Sequence, residues 1–384
     1  MANRKKKNRS RSSNGFFEAL NGLLTLVLLA LLAVGGAFVY GAATFNADGP
    51  VPEDRSFVVE PGNVLSTVAQ RLEEQGFISN ADIFNYGSRL LRRGSDLKAG
   101  EFEIAAHSSM FDIIRELTEG TPLQHQVVVP EGFTAWQVVE RVNADPNLTG
   151  NIEMLPPEGS LLPGAYSYQR GDTRQGVIDG MTAAMDARLA EIWEARDPDL
   201  PLSTPAELVT LASIVERETG LGDERGTVAG VFVNRLNVGM RLQSDPTIIY
   251  GITLGQGALG RGLRRSEIDA VTPYNTYQID GLPAGPIANP GIEALRATAN
   301  PEQHDYLYFV AKGAVPADGH VFAATYAEHQ RNVAAYREIE RRAAEAAADA
   351  EARAEMDAIA AEEAAQAGDV TAPDAAEEPA AEGE

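Results

Sequence analysis

The feature that most constrains this chain is a long stretch without any charged side chain, between Glu18 and Asp48. Its most apolar part, residues 22–43, reads GLLTLVLLALLAVGGAFVYGAA. A helix rises about 1.5 Å per residue, so this part spans the roughly 30 Å hydrocarbon core of a bilayer. The sequence therefore predicts a transmembrane helix over residues 22–43.

Basic side chains precede this segment and predict its orientation. Residues 1–20 hold six Lys and Arg side chains and one Glu, a net charge of 6 − 1 = +5. The positive-inside rule then leaves residues 1–21 in the cytoplasm and the bulk of the chain outside, as a single-pass protein of the inner membrane. Two alternatives are a cleaved signal peptide, whose apolar part is usually shorter, and a buried core helix, which needs no such long uncharged run.

Composition excludes several classes of function. The chain has 32 Lys and Arg against 55 Asp and Glu, a net charge of −23 that repels nucleic acid. It contains no cysteine, which excludes disulfides, Cys-ligated metals and a cysteine nucleophile. The five histidines are scattered, so we expect no metal site and no other cofactor. GQGALG at 255–260 matches a dinucleotide-binding pattern, but the segment after it lacks the apolar face of the required helix.

The chain after the apolar segment divides into three parts. Residues 56–142 repeat a strand-turn-helix pattern and predict a small α+β module, either a ligand-binding domain or a spacer. Residues 156–336 form a larger α+β region. Residues 343–384 hold 13 acidic side chains and one basic one, and we expect this tail to be largely disordered. Its richness in Ala and Glu would also allow a solvated helix over 337–363.

One helix carries two glutamates of interest. Thr204-Pro205-Ala206-Glu207 is a capping box with proline at the first helical position, and apolar residues then recur at helical spacing up to Gly220. Glu216 and Glu218 both border the apolar face, where desolvation raises a carboxyl pKa towards the range of a general acid. The alternative is that both are ordinary solvated glutamates.

Two polar segments follow this helix. LQSDPTIIYG and TPYNTY combine amide, carboxyl and hydroxyl groups with flat rings, which together suit the recognition of sugars. The candidate binding residues are Gln243, Asp245, Tyr250, Tyr274, Asn275 and Tyr277. Asp245 before Pro246 is also typical of an Asx-turn, and the tyrosines could belong to the core.

The order of these motifs resembles a known family. ASIVERET at 212–219, LQSDPTIIYG, TPYNTY, GLPAGPIANPG and YLYFVA are similar to motifs of the endolytic murein transglycosylases, also called YceG-like proteins. The resemblance covers roughly residues 56–336. One departure is Ala284, where the family commonly has proline; it affects local loop stiffness rather than chemistry.

The resemblance implies a catalytic role for Glu216, a glycan cleft lined by the six binding residues and a LysM-like module at 56–142. It implies cleavage of the MurNAc-GlcNAc bond of nascent peptidoglycan strands to give 1,6-anhydroMurNAc ends, near penicillin-binding synthases. One carboxylate suffices, because the C6 hydroxyl of the sugar acts as the nucleophile. The alternative is a peptidoglycan-binding scaffold that recruits wall synthases without cutting.

Overall fold

The structure is a computed structural model that describes residues 14–369, and they fold into two compact units. The first comprises the chain up to Val127 with Asp145–Asn151 and Tyr166–Arg174; the second comprises Val128–Ala144, Ile152–Ala165 and the chain from Gln175 onward. Helices and short strands alternate throughout, which confirms the α+β class. The described strands form three two-stranded sheets, β1 with β2, β3 with β4 and β5 with β6. They are β1 (Arg55–Val59), β2 (Gly100–Ile104), β3 (Gln124–Val129), β4 (Gly164–Gln169), β5 (Tyr308–Ala311) and β6 (His320–Ala323).

The first unit begins with the long helix α1 (Asn14–Asn46). Its span Phe16–Asn46 is apolar and long enough to cross a bilayer, and none of its most apolar stretch is buried in the protein. The helix predicted over 22–43 is therefore confirmed, and it continues by one short turn to Asn46. Phe45 in that last turn is buried in the core of the first unit.

Three amphipathic helices complete this core, each with its apolar residues on one face. They are α2 (Leu65–Glu74), α3 (Ala81–Leu90) and α4 (Met110–Glu119). Side chains cap two of them: Asn80 accepts from the Ile83 amide at α3, and Ser109 accepts from the Asp112 amide at α4. β1 and β2 pair antiparallel, with Phe57 opposite Phe102, so that both rings enter the core. The strands and helices of this unit agree with the strand-turn-helix pattern of the sequence.

The second unit is mostly helical. Its helices are α5 (Ala135–Asn143), α6 (Arg174–Glu194), α7 (Pro205–Glu218), α8 (Gly222–Asn237), α9 (Asp245–Thr253), α10 (Arg265–Ile268), α11 (Ile292–Ala299) and α12 (Tyr326–Asp369). β5 and β6 form an antiparallel pair joined by a short 3-10 turn at Pro316–Asp318. The core lies around α7, α8 and α11, where the largest group of buried apolar side chains packs together.

The central helix α7 begins where the sequence predicts. The Thr204 hydroxyl accepts from the Glu207 amide, and the Glu207 carboxylate accepts from the Thr204 amide, each at 3.2 Å. The side chains of residues 208–215 are all buried, because α7 runs through the core rather than along its surface. The helix ends at Glu218 with Thr219 as its C-cap in extended conformation, which puts Gly220 at the position after the cap, as predicted.

Two boundaries differ from those predicted. The module predicted over 56–142 includes α5, which belongs to the second unit, because a repeated strand-helix pattern does not specify what its second copy packs against. Residues 343–369 continue α12 as a helix rather than a disordered tail, as expected from the helix propensity of Ala and Glu, and this helix is exposed as far as residue 361. Residues 1–13 and 370–384, with the basic cluster and the end of the acidic tail, lie outside the described residues.

Candidate active site

The C-terminal end of α7 opens onto a cavity of 390 Å³ in the second unit. Glu218, the last residue of α7, lines this cavity, and it also lines a second one of 300 Å³ beside the β5–β6 hairpin. Three of the predicted binding residues line the first cavity with it: Gln243, Asp245 and Tyr277. The structure therefore brings half of the predicted binding set together around Glu218.

Burial raises the pKa of the Glu218 carboxyl above its ordinary value. The Ser244 hydroxyl donates a short hydrogen bond to Glu218 Oε1, which opposes this rise. The negative charge of Asp245 raises the pKa further, whereas the positive charges of His320 and Arg235 lower it. The net effect is a carboxyl that holds its proton at a higher pH than an exposed glutamate does.

The segment before α9 is held against the TPYNTY loop by a buried network. The backbone N–H of Gln243 donates to the backbone carbonyl of Thr276 at 3.1 Å, and the backbone N–H of Ser244 donates to the Thr276 hydroxyl at 2.9 Å. Gln243 has a φ of 51°, a left-handed conformation that costs a non-glycine residue about 1 kcal/mol or more. This backbone geometry keeps Gln243 and Asp245 at the cavity wall.

The hydroxyl of Tyr277 donates to Asp245 Oδ1 at 2.7 Å. This contact and burial raise the pKa of the Tyr277 hydroxyl, so the ring keeps its proton at neutral pH. Asp245 is thereby oriented on the cavity wall, close enough to Glu218 for its charge to act on that carboxyl.

A buried cation lies behind the cavity. Arg235 on α8 is 6% exposed, and its guanidinium donates to the carbonyl of Leu307 at 2.7 Å and to that of Leu242. These bonds connect α8 to Leu307, which precedes β5, and to Leu242, which lies in the segment before α9. Burial lowers the pKa of Arg235, and the attraction of Glu218 opposes that effect.

Aromatic rings form the opposite wall. The rings of Tyr308 and His329 stack at 5.1 Å, and Tyr326 lies 5.8 Å from Tyr308. Burial lowers the pKa of His329 and the charge of Arg235 lowers it further, so the ring is neutral at physiological pH. Its buried Nδ1 has no hydrogen-bond partner in the described structure. Flat rings at this position offer a stacking surface for a sugar ring.

Glu216 has a different environment. Its Oε2 accepts from the Gly291 amide at 2.9 Å, and its Oε1 lies 3.7 Å from the Arg225 guanidinium. Its side chain is 6% exposed, and burial raises its pKa, with the amide of Gly291 and Arg225 opposing. Glu216 lines neither of these two cavities.

Two predicted binding residues lie elsewhere. The rings of Tyr250 and Tyr274 pack 4.9 Å apart, and the Tyr250 hydroxyl bonds to Glu158. Glu158 also accepts from the amide of Ala135 at 2.8 Å, at the start of α5, and burial raises the Glu158 pKa. These tyrosines contact a helix-capping carboxylate rather than the cavity around Glu218.

Asn275 is fully buried and forms no part of the cavity wall. Its Nδ2 donates to the carbonyls of Glu267, Ile268 and Ala270, and its Oδ1 accepts from the Tyr277 amide at 3.0 Å. These contacts join the TPYNTY loop to the segment around α10 and keep Asn275 away from the wall of this cavity, so its direct binding role stays a prediction. In the sequence, an asparagine in an aromatic loop suggests a contact with sugar. In the structure, the buried Asn275 amide stabilises the conformation of the loop instead.

Several residues of the cavity did not stand out in the sequence. They are Arg235, Ser244, Tyr308, Tyr326 and His329. Arg235 carries a usable signal, as a charged residue at the apolar spacing of α8, and Tyr308 belongs to the family motif YLYFVA. Tyr308, Tyr326 and His329 come from distant β5 and α12, which only the tertiary structure brings beside α7.

Comparison with known proteins extends this picture. Residues 57–335, which include both glutamates and the whole cavity, match the YceG-like family. The chain belongs to that family. Among its relatives is the endolytic murein transglycosylase of Streptococcus pneumoniae serotype 2 (strain D39 / NCTC 7466), 31% identical over 364 residues, which covers 80% of this chain and 64% of that protein.

Two other YceG-family comparisons cover more of the relative. The endolytic murein transglycosylase of Bacillus subtilis (strain 168) is 28% identical over 341 residues, covering 78% of this chain and 90% of that protein. A crystal structure of a yceG-like protein from Listeria monocytogenes has a TM-score of 0.46 and 28% identity, covering 73% of this chain and 98% of that one. The chain spans less than two thirds of the length of the pneumococcal relatives.

Proposed function

We propose that this YceG-family chain is an endolytic murein transglycosylase with Glu218, rather than Glu216, as its catalytic acid and base. The observation that carries the proposal is the cavity that Glu218 shares with Gln243, Asp245 and Tyr277. The substrate is the glycan strand of peptidoglycan, cut at the MurNAc-GlcNAc bond within the strand. The names of its pneumococcal and Bacillus relatives support this activity.

The reaction needs one carboxyl group that changes role. Protonated Glu218 donates its proton to the glycosidic oxygen, and the bond from that oxygen to C1 of MurNAc breaks. The C6 hydroxyl of the same sugar bonds to C1, and the Glu218 carboxylate takes the hydroxyl proton. The products are a 1,6-anhydroMurNAc end and a free GlcNAc hydroxyl, and no water is consumed.

The surroundings of Glu218 suit this cycle. Burial and Asp245 raise its pKa, which favours the protonated acid that the first step requires. Arg235, His320 and the Ser244 hydroxyl stabilise the carboxylate that forms after proton donation. Glu216 lines neither of the two cavities described around Glu218 and is held by Gly291 and Arg225, and we propose that it positions the end of α7.

Gln243, Asp245 and Tyr277 are proposed to hydrogen-bond the sugar hydroxyl and acetamido groups, and Tyr308 and Tyr326 to stack on a sugar face. Tyr250 and Tyr274 then act indirectly, through the packing of α9 on the loop. Nascent strands are the proposed substrate pool, and penicillin-binding synthases are proposed neighbours. The LysM-like character of the first unit is likewise a proposal.

Membrane anchoring by α1 is the second part of the proposal. The apolar stretch of α1 is exposed along its whole length, which is inconsistent with a core helix. Phe45, at its C-terminal end, packs in the core of the first unit, which favours a retained helix over a cleaved signal peptide. The positive-inside rule puts the N-terminus in the cytoplasm and the cavity outside the inner membrane.

The experiment is digestion of purified glycan strands by the full-length chain in detergent, followed by mass spectrometry in H₂¹⁸O. We expect 1,6-anhydroMurNAc ends without ¹⁸O, and none with Glu218→Gln. Reducing ends that contain ¹⁸O would reveal a hydrolase, with Asp245 as a second carboxylate. Strands that are bound but uncut would support the alternative, a peptidoglycan-binding scaffold that recruits synthases.

A further inference from the structure

The last turn of α1 docks directly onto α3 in the first unit. The Phe45 ring is 6% exposed and lies 6.5 Å from the ring of Phe84. A Cβ at Gly87 would come within 2.4 Å of the Phe45 ring, so only glycine lets α3 approach this closely. When α1 crosses a bilayer, α3 therefore lies at the point where the chain leaves the hydrocarbon core, because α3 packs directly against the last turn of α1.

The surface of α3 beside α1 is unusually apolar. Tyr86 and Leu90 are each 72% exposed, and both line a groove of 430 Å³ between the ends of α1 and α3. Phe38 and Ala42 of α1 form the other side of this groove. Exposed aliphatic and aromatic side chains on an amphipathic helix are typical of segments that lie in the membrane interface.

A basic cavity adjoins the same helix. Arg89 and Arg92 line a cavity of 500 Å³ together with the hydroxyl-bearing residues Ser66 and Ser95. Both arginines are exposed, and among the described residues neither has an acidic partner within salt-bridge distance. Arg93 next to them is already paired, with Glu119 at 2.6 Å. Two unpaired guanidinium groups with nearby hydroxyls match the chemistry of a phosphate group.

We propose that α3 and these two cavities form a binding surface for anionic phospholipid. An acyl chain occupies the groove between α1 and α3, and the headgroup phosphate lies on Arg89 and Arg92. Continuity with α1 and the positive charge select an anionic lipid of the outer leaflet as the occupant. The inference rests on the proposed membrane anchoring and is independent of the catalytic assignment. Its consequence is that the first unit is held against the bilayer rather than moving freely on its anchor.

The absence of cysteine makes a direct test possible. Leu90→Cys in the full-length chain carries one spin label, and the chain is reconstituted in nanodiscs of phosphatidylcholine alone or with one third phosphatidylglycerol. Accessibility to oxygen and to a water-soluble nickel chelate reports the depth of the label. We expect immersion that at least doubles the oxygen-to-nickel ratio in anionic nanodiscs, and a water-like ratio for Glu103→Cys, an exposed control on β2.

The arginines are tested in the same background. Arg89→Ala with Arg92→Ala should abolish the additional immersion in anionic nanodiscs, whereas Arg115→Ala, an exposed arginine paired with Asp112, should leave it unchanged. A water-like label in both lipids, or equal immersion in both, overturns the proposal. Disulfide-linked dimers of Leu90→Cys in nanodiscs would assign the groove to a second copy and also overturn it. Failure of α1 to insert is seen separately, as loss of the chain from the nanodisc fraction.

Discussion

Glu216 and Glu218 are two residues apart on one helix, yet their surroundings differ in nearly every respect. Burial raises both pKa values, so the pKa alone does not distinguish them. Glu218 adjoins two cavities and bonds to a side-chain hydroxyl, whereas Glu216 bonds to a backbone amide and lies beside the partly buried Arg225. The comparison shows that a catalytic acid is identified by the cavity beside it and by its hydrogen-bonding and charged neighbours, because the substrate must reach the carboxyl group.

The largest expected effect separates the two glutamates by activity. Glu218→Gln should lower the rate of anhydroMurNAc formation by at least about 10³-fold, because the only proposed proton donor is lost. Glu216→Gln should retain activity within about 10-fold, since glutamine can still accept from the Gly291 amide. The measurement is initial rate on purified glycan strands, with folding of both variants checked by circular dichroism. The reverse order of rates would return the catalytic role to Glu216.

The next effect concerns the loop that carries Tyr277. Asn275→Ala should lower the free energy of unfolding by about 2–3 kcal/mol, because three carbonyls lose their buried donor. Asn300→Ala is the matched control, an exposed asparagine with a single bond to the Ala195 carbonyl, and should cost at most about 0.5 kcal/mol. Urea unfolding measures both. A stable Asn275→Ala protein with weaker glycan binding would support the direct binding role.

A smaller effect tests the cost of the charge on Glu218. Because folding raises its pKa, the stability that Glu218 contributes is fully present below the ordinary glutamate pKa and is lost as pH rises through the raised value. Glu218→Gln should therefore stabilise the protein at pH 7.5 by about 1 kcal/mol and lose this advantage near pH 4. Thermal melts at the two pH values measure it. Equal melting temperatures at pH 7.5 would mean that the carboxylate is well accommodated.

The smallest effect is on the pH profile. Asp245→Asn removes a negative charge that raises the Glu218 pKa, so the alkaline limb of kcat/KM should move to lower pH. The asparagine oxygen can still accept from the Tyr277 hydroxyl, which keeps the local geometry. Asp280→Asn, an exposed aspartate paired with Arg241, is the control and should leave the profile unchanged. An unmoved limb for Asp245→Asn would mean that another group titrates there.

Local patterns predicted the elements well. The uncharged run specified α1, and the Thr204 capping box specified the start of α7. Each of these depends on neighbours within a few residues along the chain, which the sequence displays directly. The ends of elements and the grouping of α5 depend on distant contacts and were less accurate.

The candidate site was predictable in part. The segments LQSDPTIIYG and TPYNTY both contribute residues to the cavity, but the sequence did not separate Tyr277, which lines it, from Asn275, which is buried beside it. Helical periodicity placed both glutamates at the border of an apolar face, but it does not indicate which of the two lies beside a cavity. Tyr308, Tyr326 and His329 come from elements remote in sequence, and no local pattern indicates that they meet.

The sequence by itself determined the long apolar helix near the N-terminus, the α+β class, the capped helix with its two carboxyl groups and the family to which the chain belongs. These follow from charge, periodicity and motif order, which are properties of neighbouring residues. Only the tertiary structure decided that Glu218 meets Gln243, Asp245 and Tyr277 at a cavity and that α3 presents an apolar and basic surface beside α1. Open space and desolvation arise from how distant segments pack, so they exist only once the chain has folded.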